Sequence, residues 1–287
     1  MTYREAEIAF TDHLQALYSE RERKQLSNWV MENITGKSRI DRLLLKDKEL
    51  SEEMLTKWHA MLNRMLQQEP IQYVIGEAPF MGMMLQVNQY TLIPRPETEE
   101  LVSWILDNHK EKNIRVLDLG TGSGCIALAL KYFRPDWTIT GTDFSSEALA
   151  IASDNANRLT LSIEWKVINM LEPTHPAWGD SYQVIVSNPP YIPLKEKATL
   201  SQHVREYEPS SALFVPDEDP LVFYKALLKN TPAHLTQGGD LYMEINDQLG
   251  AATLNLFLEA GWNAELRKDM QGNERMIKAT PPTPTSE

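Results

Sequence analysis

The stretch that most constrains this chain runs from Arg115 to the segment beginning at Cys125. A run rich in Val and Leu, Arg115–Leu119, passes straight into Gly120-Thr121-Gly122-Ser123-Gly124 and then into an apolar helix starting at Cys125. A strand, a glycine loop and a helix in immediate succession make the first half of a βαβ unit, and the pattern repeats downstream. Further strand-like runs lie at Thr138–Asp143, 163–168, 183–187 and 240–245, with amphipathic segments between them. The first four runs are rich in Val, Ile and Leu, as strands buried on both faces should be, and the alternation predicts a doubly wound parallel sheet.

The C-terminal end departs from that alternation. Runs at 262–268 and 275–279 are separated by only six residues, 269–274. That gap is too short for a crossover helix, so the two strands must be antiparallel. A parallel sheet closed by one antiparallel strand marks the methyltransferase variant of the Rossmann fold. The expected fold class is therefore α/β: a Rossmann-like class I methyltransferase domain whose seven-stranded sheet is mostly parallel, preceded by a small all-α domain and a β-hairpin linker.

The N-terminal part reads as helices only. Ser51 can cap a helix whose first turn carries Glu52 and Glu53, and Met54, Leu55, Trp58, Met61, Leu62, Met65 and Leu66 recur at helical spacing until Pro70 stops it. Shorter helices are expected near 6–18, 25–34 and 39–45. Tyr73-Val74-Ile75, Phe80-Met81 and Met84-Leu85-Gln86-Val87 are β-like runs punctuated by Gly76, Pro79 and Gly82, which suggests a hairpin. Two prolines in Pro94-Arg95-Pro96-Glu97-Thr98-Glu99 stiffen the chain before a helix near Thr98. The expected division is residues 1–72 helical and substrate-recognising, 73–97 a linker, 98–280 catalytic, and 281–287 a disordered tail.

In the glycine loop a dinucleotide site is the natural competitor. The spacing is G-x-G-x-G, without the third glycine one step later that a dinucleotide fingerprint requires. Asp118 at the strand end puts a carboxylate where a ligand ammonium could sit, which suits the methionine end of S-adenosylmethionine better than a pyrophosphate. The candidate cofactor residues are thus Asp118, Gly120, Thr121, Gly122, Ser123 and Gly124. Asp143 closes the second strand, where a carboxylate can accept both ribose hydroxyls; the competing role is a cap for the next helix. Cys125 opens an apolar helix without a histidine nearby and reads as packing.

The strand 183–187 ends in Asn188-Pro189-Pro190-Tyr191. Two prolines fix the backbone and remove two N–H donors, Asn188 supplies a side-chain acceptor, and Tyr191 supplies a flat aromatic face. An amide or exocyclic amine has a delocalised lone pair and is not deprotonated beforehand by any protein base. Two acceptors, the Asn188 side-chain oxygen and the Pro189 carbonyl, can take one N–H each and steer the nitrogen toward a methyl donor. Catalysis of this kind is mainly alignment and calls for neither a metal nor a general base.

Bulk properties narrow the partners. A net charge of −12 over 287 residues argues against gripping nucleic acid through its phosphates. Residues 1–75 hold 11 Lys and Arg against 12 Asp and Glu, leaving 17 against 28 for the rest, so neither part resembles a DNA clamp. The single cysteine allows no intramolecular disulfide, the N-terminus lacks the apolar core of a signal peptide, and no stretch reaches the roughly 18 apolar residues of a spanning helix. His13, His59, His109, His175, His203 and His234 lack ligand spacing. A cytoplasmic monomer with no metal, no membrane contact and no direct nucleic-acid binding is expected.

The order of the Pro94–Glu99 run, the loop at 118–124, Asp143, Asn188-Pro189-Pro190-Tyr191, Tyr207-Glu208-Pro209 and Gly272-Asn273-Glu274-Arg275 resembles the bacterial release factor glutamine methyltransferases, the PrmC or HemK family, over nearly the whole length. The tetrapeptide alone is shared with adenine-N6 DNA methyltransferases and some guanine-N2 RNA methyltransferases, so Pro-Arg-Pro-Glu-Thr-Glu is the specific part. The resemblance implies S-adenosyl-L-methionine as cofactor and, as partner, the class I peptide-chain release factors, methylated at N5 of the glutamine in their Gly-Gly-Gln loop. It carries cofactor roles to 120–124, Asp143 and Asn188, and catalytic roles to Asn188, Pro189, Pro190 and Tyr191. Where the family has Gly-Asp and an aromatic near the adenine, this chain has Ile168-Asn169-Met170, so Asn169 would hydrogen-bond adenine and Met170 pack on it. Where the family is glycine-rich after Tyr-Glu-Pro, this chain has the stiffer Phe214-Val215-Pro216. The alternatives are a nucleic-acid base methyltransferase, which would need a basic approach surface, and a non-catalytic adaptor that kept the fold.

Overall fold

The structure is a computed structural model that describes residues 1–172, 178–179 and 181–283. His175 and residues 284–287 of the expected tail lie outside the described residues. The chain forms two compact units: residues 1–77 with 201–207, and residues 78–200 with 208–287.

The first unit is helical: α1 (Tyr3–His13), α2 (Glu20–Thr35), α3 (Arg39–Leu44), α4 (Glu52–Leu66) and α5 (Ile71–Ile75). Thr2 with Glu5 and Ser19 with Glu22 close reciprocal capping boxes, and Ser51 caps α4 by accepting from the Met54 N–H, which satisfies free donors of each first turn. Trp58, Leu62 and Met65 of α4 are buried against Phe10, Val30 and Met31. Leu66, expected on the same face, is 39% exposed.

Two local expectations are corrected here. Pro70 does not stop α4, which ends at Leu66 with Gln67 as its C-cap; Pro70 stands at the N-cap of α5. Tyr73-Val74-Ile75 is not strand but the body of α5, closed by Gly76 in the left-handed region at φ +86°. Arg64 holds this turn in place, donating to the Val74 and Tyr73 carbonyls and bidentately to Glu69.

The second unit opens with the expected hairpin, β1 (Glu77–Phe80) and β2 (Met83–Gln86), turning at Met81 and Gly82 with φ +49° and +79°. Phe80, Met83 and Leu85 enter the main core of this unit, so the hairpin is part of its body. Next come α6 (Pro96–Asn108), β3 (Arg115–Leu119), α7 (Cys125–Phe133), β4 (Thr138–Asp143), α8 (Ser146–Leu159), β5 (Glu164–Val167), β6 (Tyr182–Ser187) and β7 (Ile192–Pro193). The chain then supplies α9 (Gln202–Tyr207) to the first unit, where Tyr207 donates to the Gln67 carbonyl. It resumes with α10 (Ser210–Leu213), β8 (Phe214–Val215), α11 (Val222–Asn230), β9 (Leu235–Glu244), α12 (Gly250–Glu259), β10 (Asn263–Lys268) and β11 (Glu274–Thr280).

The main sheet has seven strands in the order β10-β11-β9-β6-β3-β4-β5. All neighbours from β9 through β5 pair in parallel, and β11 runs antiparallel to β9 and β10, as the short gap after β10 requires. The strand order reverses around β3, which pairs with β4 on one side and β6 on the other, so the crevice of the fold opens at the carboxyl ends of these three strands. Burial on both faces holds for β3, β4 and β6 but not for β5. As the sheet edge, Glu164–Val167 has no buried residue and Val167 is 61% exposed.

Candidate active site

A cavity of about 660 Å³ opens at that crevice. Its floor is the loop between β3 and α7, where Gly120, Gly122 and Gly124 all take positive φ, from +56° to +83°. Gly122 has open space around it, with nothing within 4 Å of where a Cβ would stand, so its backbone is bare toward the cavity. Gly120 also lines the cavity, and a Cβ there would meet the Met170 methyl at 3.0 Å. Gly124 does different work. It does not line the cavity, and a Cβ there would press on Ala152, Leu128 and Trp165 at 3.1 Å, so the third glycine permits helix–sheet packing.

Asp118 is not where the sequence placed it. It is fully buried behind the loop and offers no surface to a ligand ammonium. One carboxylate oxygen, Oδ2, accepts from the Thr121 hydroxyl at 2.6 Å and from the Ala127 N–H at 3.2 Å, while Oδ1 has no partner among the described residues. Burial pushes this carboxyl up to about 7 against the pull of those two donors. Asp118 thus shapes the loop from behind.

Asp143 does reach the cavity. Its Oδ2 accepts from the Gly122 N–H at 2.9 Å and its Oδ1 from the Ser145 N–H at 3.0 Å, so it clasps the two loops together. The cap of α8 is Ser145, which accepts from Ala148. Burial raises the Asp143 carboxyl, opposed by the backbone donors. Each of its oxygens retains a second lone pair for a ligand hydroxyl.

Beside Asp143, Phe144 stands 56% exposed on the cavity wall, and Tyr90 stands 48% exposed on the same cavity. Neither stood out in the sequence; the signal for Phe144 was an aromatic directly after a strand-ending aspartate. Asn169 and Met170 line the cavity. Met170 packs into the core, whereas Asn169 is exposed and turns its Oδ1 onto the Leu171 N–H, forming a local turn. Cys125 also touches the cavity, but burial pushes its thiol up to about 12, which leaves it unreactive.

The opposite wall carries the tetrapeptide. Asn188 and Pro190 line the cavity; Pro189 is buried beneath them, and Tyr191 is half-buried with its ring against the core. Tyr191 is therefore not an open stacking face. Its hydroxyl donates to Glu244 Oε1 at 3.1 Å, and burial next to that carboxylate raises the phenol well above its ordinary range. Asn246 donates to the Tyr191 carbonyl at 3.1 Å and fixes its backbone. The Asn188 side chain donates through Nδ2 to Thr98 Oγ1 at 3.2 Å, and Thr98 donates to Glu244 Oε2 at 2.6 Å. Glu244 is buried at the end of β9; burial pushes its carboxyl up, while Thr98, Tyr191 and the nearby Arg275 pull it down.

The run Pro94–Glu99, expected to be a linker, is built into this wall. Pro94, Arg95 and Thr98 line the cavity. Arg95 forms an ion pair at 2.5 Å with Glu208, which is buried and also accepts from the Ile93 N–H at 3.2 Å. Glu99 accepts from the Met81 N–H at 2.6 Å, tying the run to the hairpin turn. The Pro-Arg-Pro-Glu-Thr-Glu and Tyr-Glu-Pro elements, 113 residues apart at Arg95 and Glu208, are thus two halves of one partly buried contact. At Phe214-Val215-Pro216, expected to be stiffer than a glycine-rich loop, β8 pairs with β7, the strand directly after the tetrapeptide.

Among known families, the PrmC N-terminal domain matches residues 5–76 and the methyltransferase small domain matches residues 98–206. The chain is 39% identical over 274 residues to the release factor glutamine methyltransferase of Flavobacterium psychrophilum, covering 94% of this chain and 95% of that one. It is 38% identical to the enzyme of that name from Bacteroides thetaiotaomicron and 36% identical to that of Streptococcus pneumoniae, in each case covering 93% of this chain and 95% of the relative. Among solved structures, the hMettl16 catalytic domain has a TM-score of 0.53 at 18% identity, covering 72% of this chain and 79% of that one. A methyltransferase from Pyrococcus furiosus has a TM-score of 0.52 at 17% identity, covering 77% and 98%. Both likenesses are to the class I methyltransferase fold.

Proposed function

Because the chain belongs to the release factor glutamine methyltransferase family, we propose that it uses S-adenosylmethionine to methylate N5 of the glutamine in the Gly-Gly-Gln loop of class I peptide-chain release factors. The cavity has the volume of a small-molecule cofactor site, which typically runs to ~300–1,000 Å³. The residues lining it fit this cofactor. The open backbone at Gly122 can approach the methionine portion, Asp143 keeps lone pairs for the ribose hydroxyls, and Phe144 offers an apolar face beside the adenine position. S-adenosylmethionine supplies a methyl group already activated on a positively charged sulfur that departs neutral.

The protein's own task is then alignment. The observation that carries this reading is the Asn188 amide. Its NH2 is committed to Thr98, which leaves Oδ1 to accept an N–H of the substrate amide. The carbonyl of Pro189 is the second acceptor, and Pro190 stiffens the turn that presents both. Two acceptors on one planar NH2 hold its nitrogen against a fixed methyl donor, and such positioning can supply several kcal/mol of the barrier, up to roughly 7–11. The net charge of −12 supports a protein rather than a nucleic-acid partner. The helical unit is proposed to hold the body of the release factor, since a single glutamine side chain offers little area and remote contacts can be used to orient the reacting group.

The test incubates the full chain with methyl-labelled cofactor and an intact class I release factor, a short Gly-Gly-Gln peptide, or DNA. The label should appear on the loop glutamine of the intact factor, with lower kcat/KM on the peptide. Label on DNA and not on the factor would overturn the substrate, and equal kcat/KM on factor and peptide would remove the recognition role from the helices.

A further inference from the structure

Glu244 lies outside every sequence motif of the site, yet among the described residues it is the one carboxylate to which both sides of the tetrapeptide are linked. Thr98 Oγ1 reaches its Oε2 at 2.6 Å, and the Tyr191 hydroxyl reaches its Oε1 at 3.1 Å. A hydroxyl has a single proton to give, and the short Thr98 contact falls in the range of an O–H donated to a carboxylate. With that proton spent on Glu244, Thr98 Oγ1 can only accept toward Asn188. The Asn188 amide must therefore turn its NH2 to Thr98, and its oxygen is left facing the cavity. The two ends of an amide have the same shape and only partners distinguish them, so the orientation is set from behind, through Thr98.

We propose that Glu244 is a positioning residue that, acting through Thr98, fixes the Asn188 amide with its oxygen toward the substrate nitrogen. An amide flipped the other way would present N–H to N–H and repel the substrate it should align. The same carboxylate accepts the Tyr191 hydroxyl, which holds the end of the tetrapeptide to the end of β9, so both ends of the tetrapeptide are braced from one point. Thr98 sits in the first turn of α6, which begins at Pro96. This gives the Pro-Arg-Pro-Glu-Thr-Glu run a chemical reason for its threonine.

The inference rests on the methyl-transfer reading, and the experiment separates the two. Wild-type enzyme that fails to methylate an intact release factor defeats the reading itself. With wild-type turnover in hand, Thr98→Val, Thr98→Ser and Glu244→Gln are compared for kcat, cofactor Kd and melting temperature. Valine matches threonine in shape but cannot relay the bond, so Thr98→Val should lower kcat about tenfold, the scale of one such hydrogen bond lost. Cofactor Kd should stay close to wild type. Thr98→Ser keeps the hydroxyl and should restore most of kcat. Glu244→Gln can donate where it must accept and should fall in the same way, and its loss should not add to that of Thr98→Val, because both cut one path. Thr98→Val with wild-type kcat, Thr98→Ser as damaged as Thr98→Val, or fully additive losses would each overturn the proposal. If Glu244→Gln does not fold, the threonine pair decides alone.

Discussion

The glycine-loop wall and the Asn188 wall of the cavity are held together over very different distances along the chain. On the glycine side, the bonds that shape the site join residues 2 to 24 apart: Asp118 to Thr121 and Ala127, Asp143 to Gly122 and Ser145, Thr142 to the Asp118 carbonyl. On the Asn188 side they join residues 53 to 146 apart, through Thr98, Glu244, Tyr191 and the Arg95–Glu208 pair. The first wall is mainly a backbone device, with N–H groups arranged by two successive strand–loop–helix units, β3–α7 and β4–α8. The second is a side-chain device that exists only once α6, β6 and β9 have come together. A backbone device suits binding a cofactor that is the same in every turnover. A side-chain network suits fixing one polarity at one nitrogen, and it sets which wall should fail in kcat and which in affinity.

The largest effect is expected from Asn188→Ala. It removes one of the two acceptors while leaving the glycine wall intact, so kcat should fall ~100-fold or more with cofactor Kd little changed. A variant whose cofactor affinity falls as far as its kcat would erase the distinction between the walls. Asp143→Ala should show the opposite pattern. Losing one charge-assisted bond to the ribose, worth roughly 1.5–3 kcal/mol, should weaken cofactor binding by about 10- to 100-fold in calorimetry. Because Asp143 also clasps the Gly122 and Ser145 N–H groups, part of that loss is a loosened loop. An unchanged Kd would show that the clasp is its whole role.

The same contrast decides what could be read before the structure. G-x-G-x-G after a Val- and Leu-rich run, Asp143 at a strand end and Asn188 after β6 are local signals; Gly120, Gly122, Asp143 and Asn188 line the cavity, while Gly124 packs behind it. The antiparallel closure was legible because six residues cannot hold a crossover helix. Thr98 and Glu244 were not legible as partners, since nothing local pairs positions 146 apart. Asp118 was misplaced because a strand-end carboxylate reads alike whether it faces the ligand or the back of the loop. Tyr73-Val74-Ile75 misled because aromatic and β-branched residues favour strands, whereas here Pro70 and Gly76 bracket a single helical turn held by Arg64. The edge position of β5 depends on sheet order, which no single strand carries.

The smallest expected effect, and the sharpest test of the glycine wall, comes from Asp118→Asn. If Asp118 met the cofactor's ammonium directly, this change would weaken binding as much as Asp143→Ala. From behind the loop it should cost less than ~10-fold in Kd, or about 1.4 kcal/mol. Its signature lies in stability instead. Burial lifts the folded-state carboxyl from 3.8 to about 7, so between those values the folded protein holds a proton that the unfolded chain has released. The unfolded state then binds fewer protons than the native one, and stability must fall as pH rises through that window. The penalty is complete above about 7, where a carboxylate with one unpartnered oxygen is ionised in the interior. Asparagine can keep the acceptor for Thr121 and Ala127 and carries no titrating proton. Melting curves of the cofactor-free protein from pH 5 to pH 8 should therefore slope downward for wild type and run flatter for Asp118→Asn, so that the variant gains on wild type toward the alkaline end. Parallel curves would mean that Asp118 is already ionised across the window, and the buried carboxylate would then need a partner that its Oδ1 does not have among the described residues.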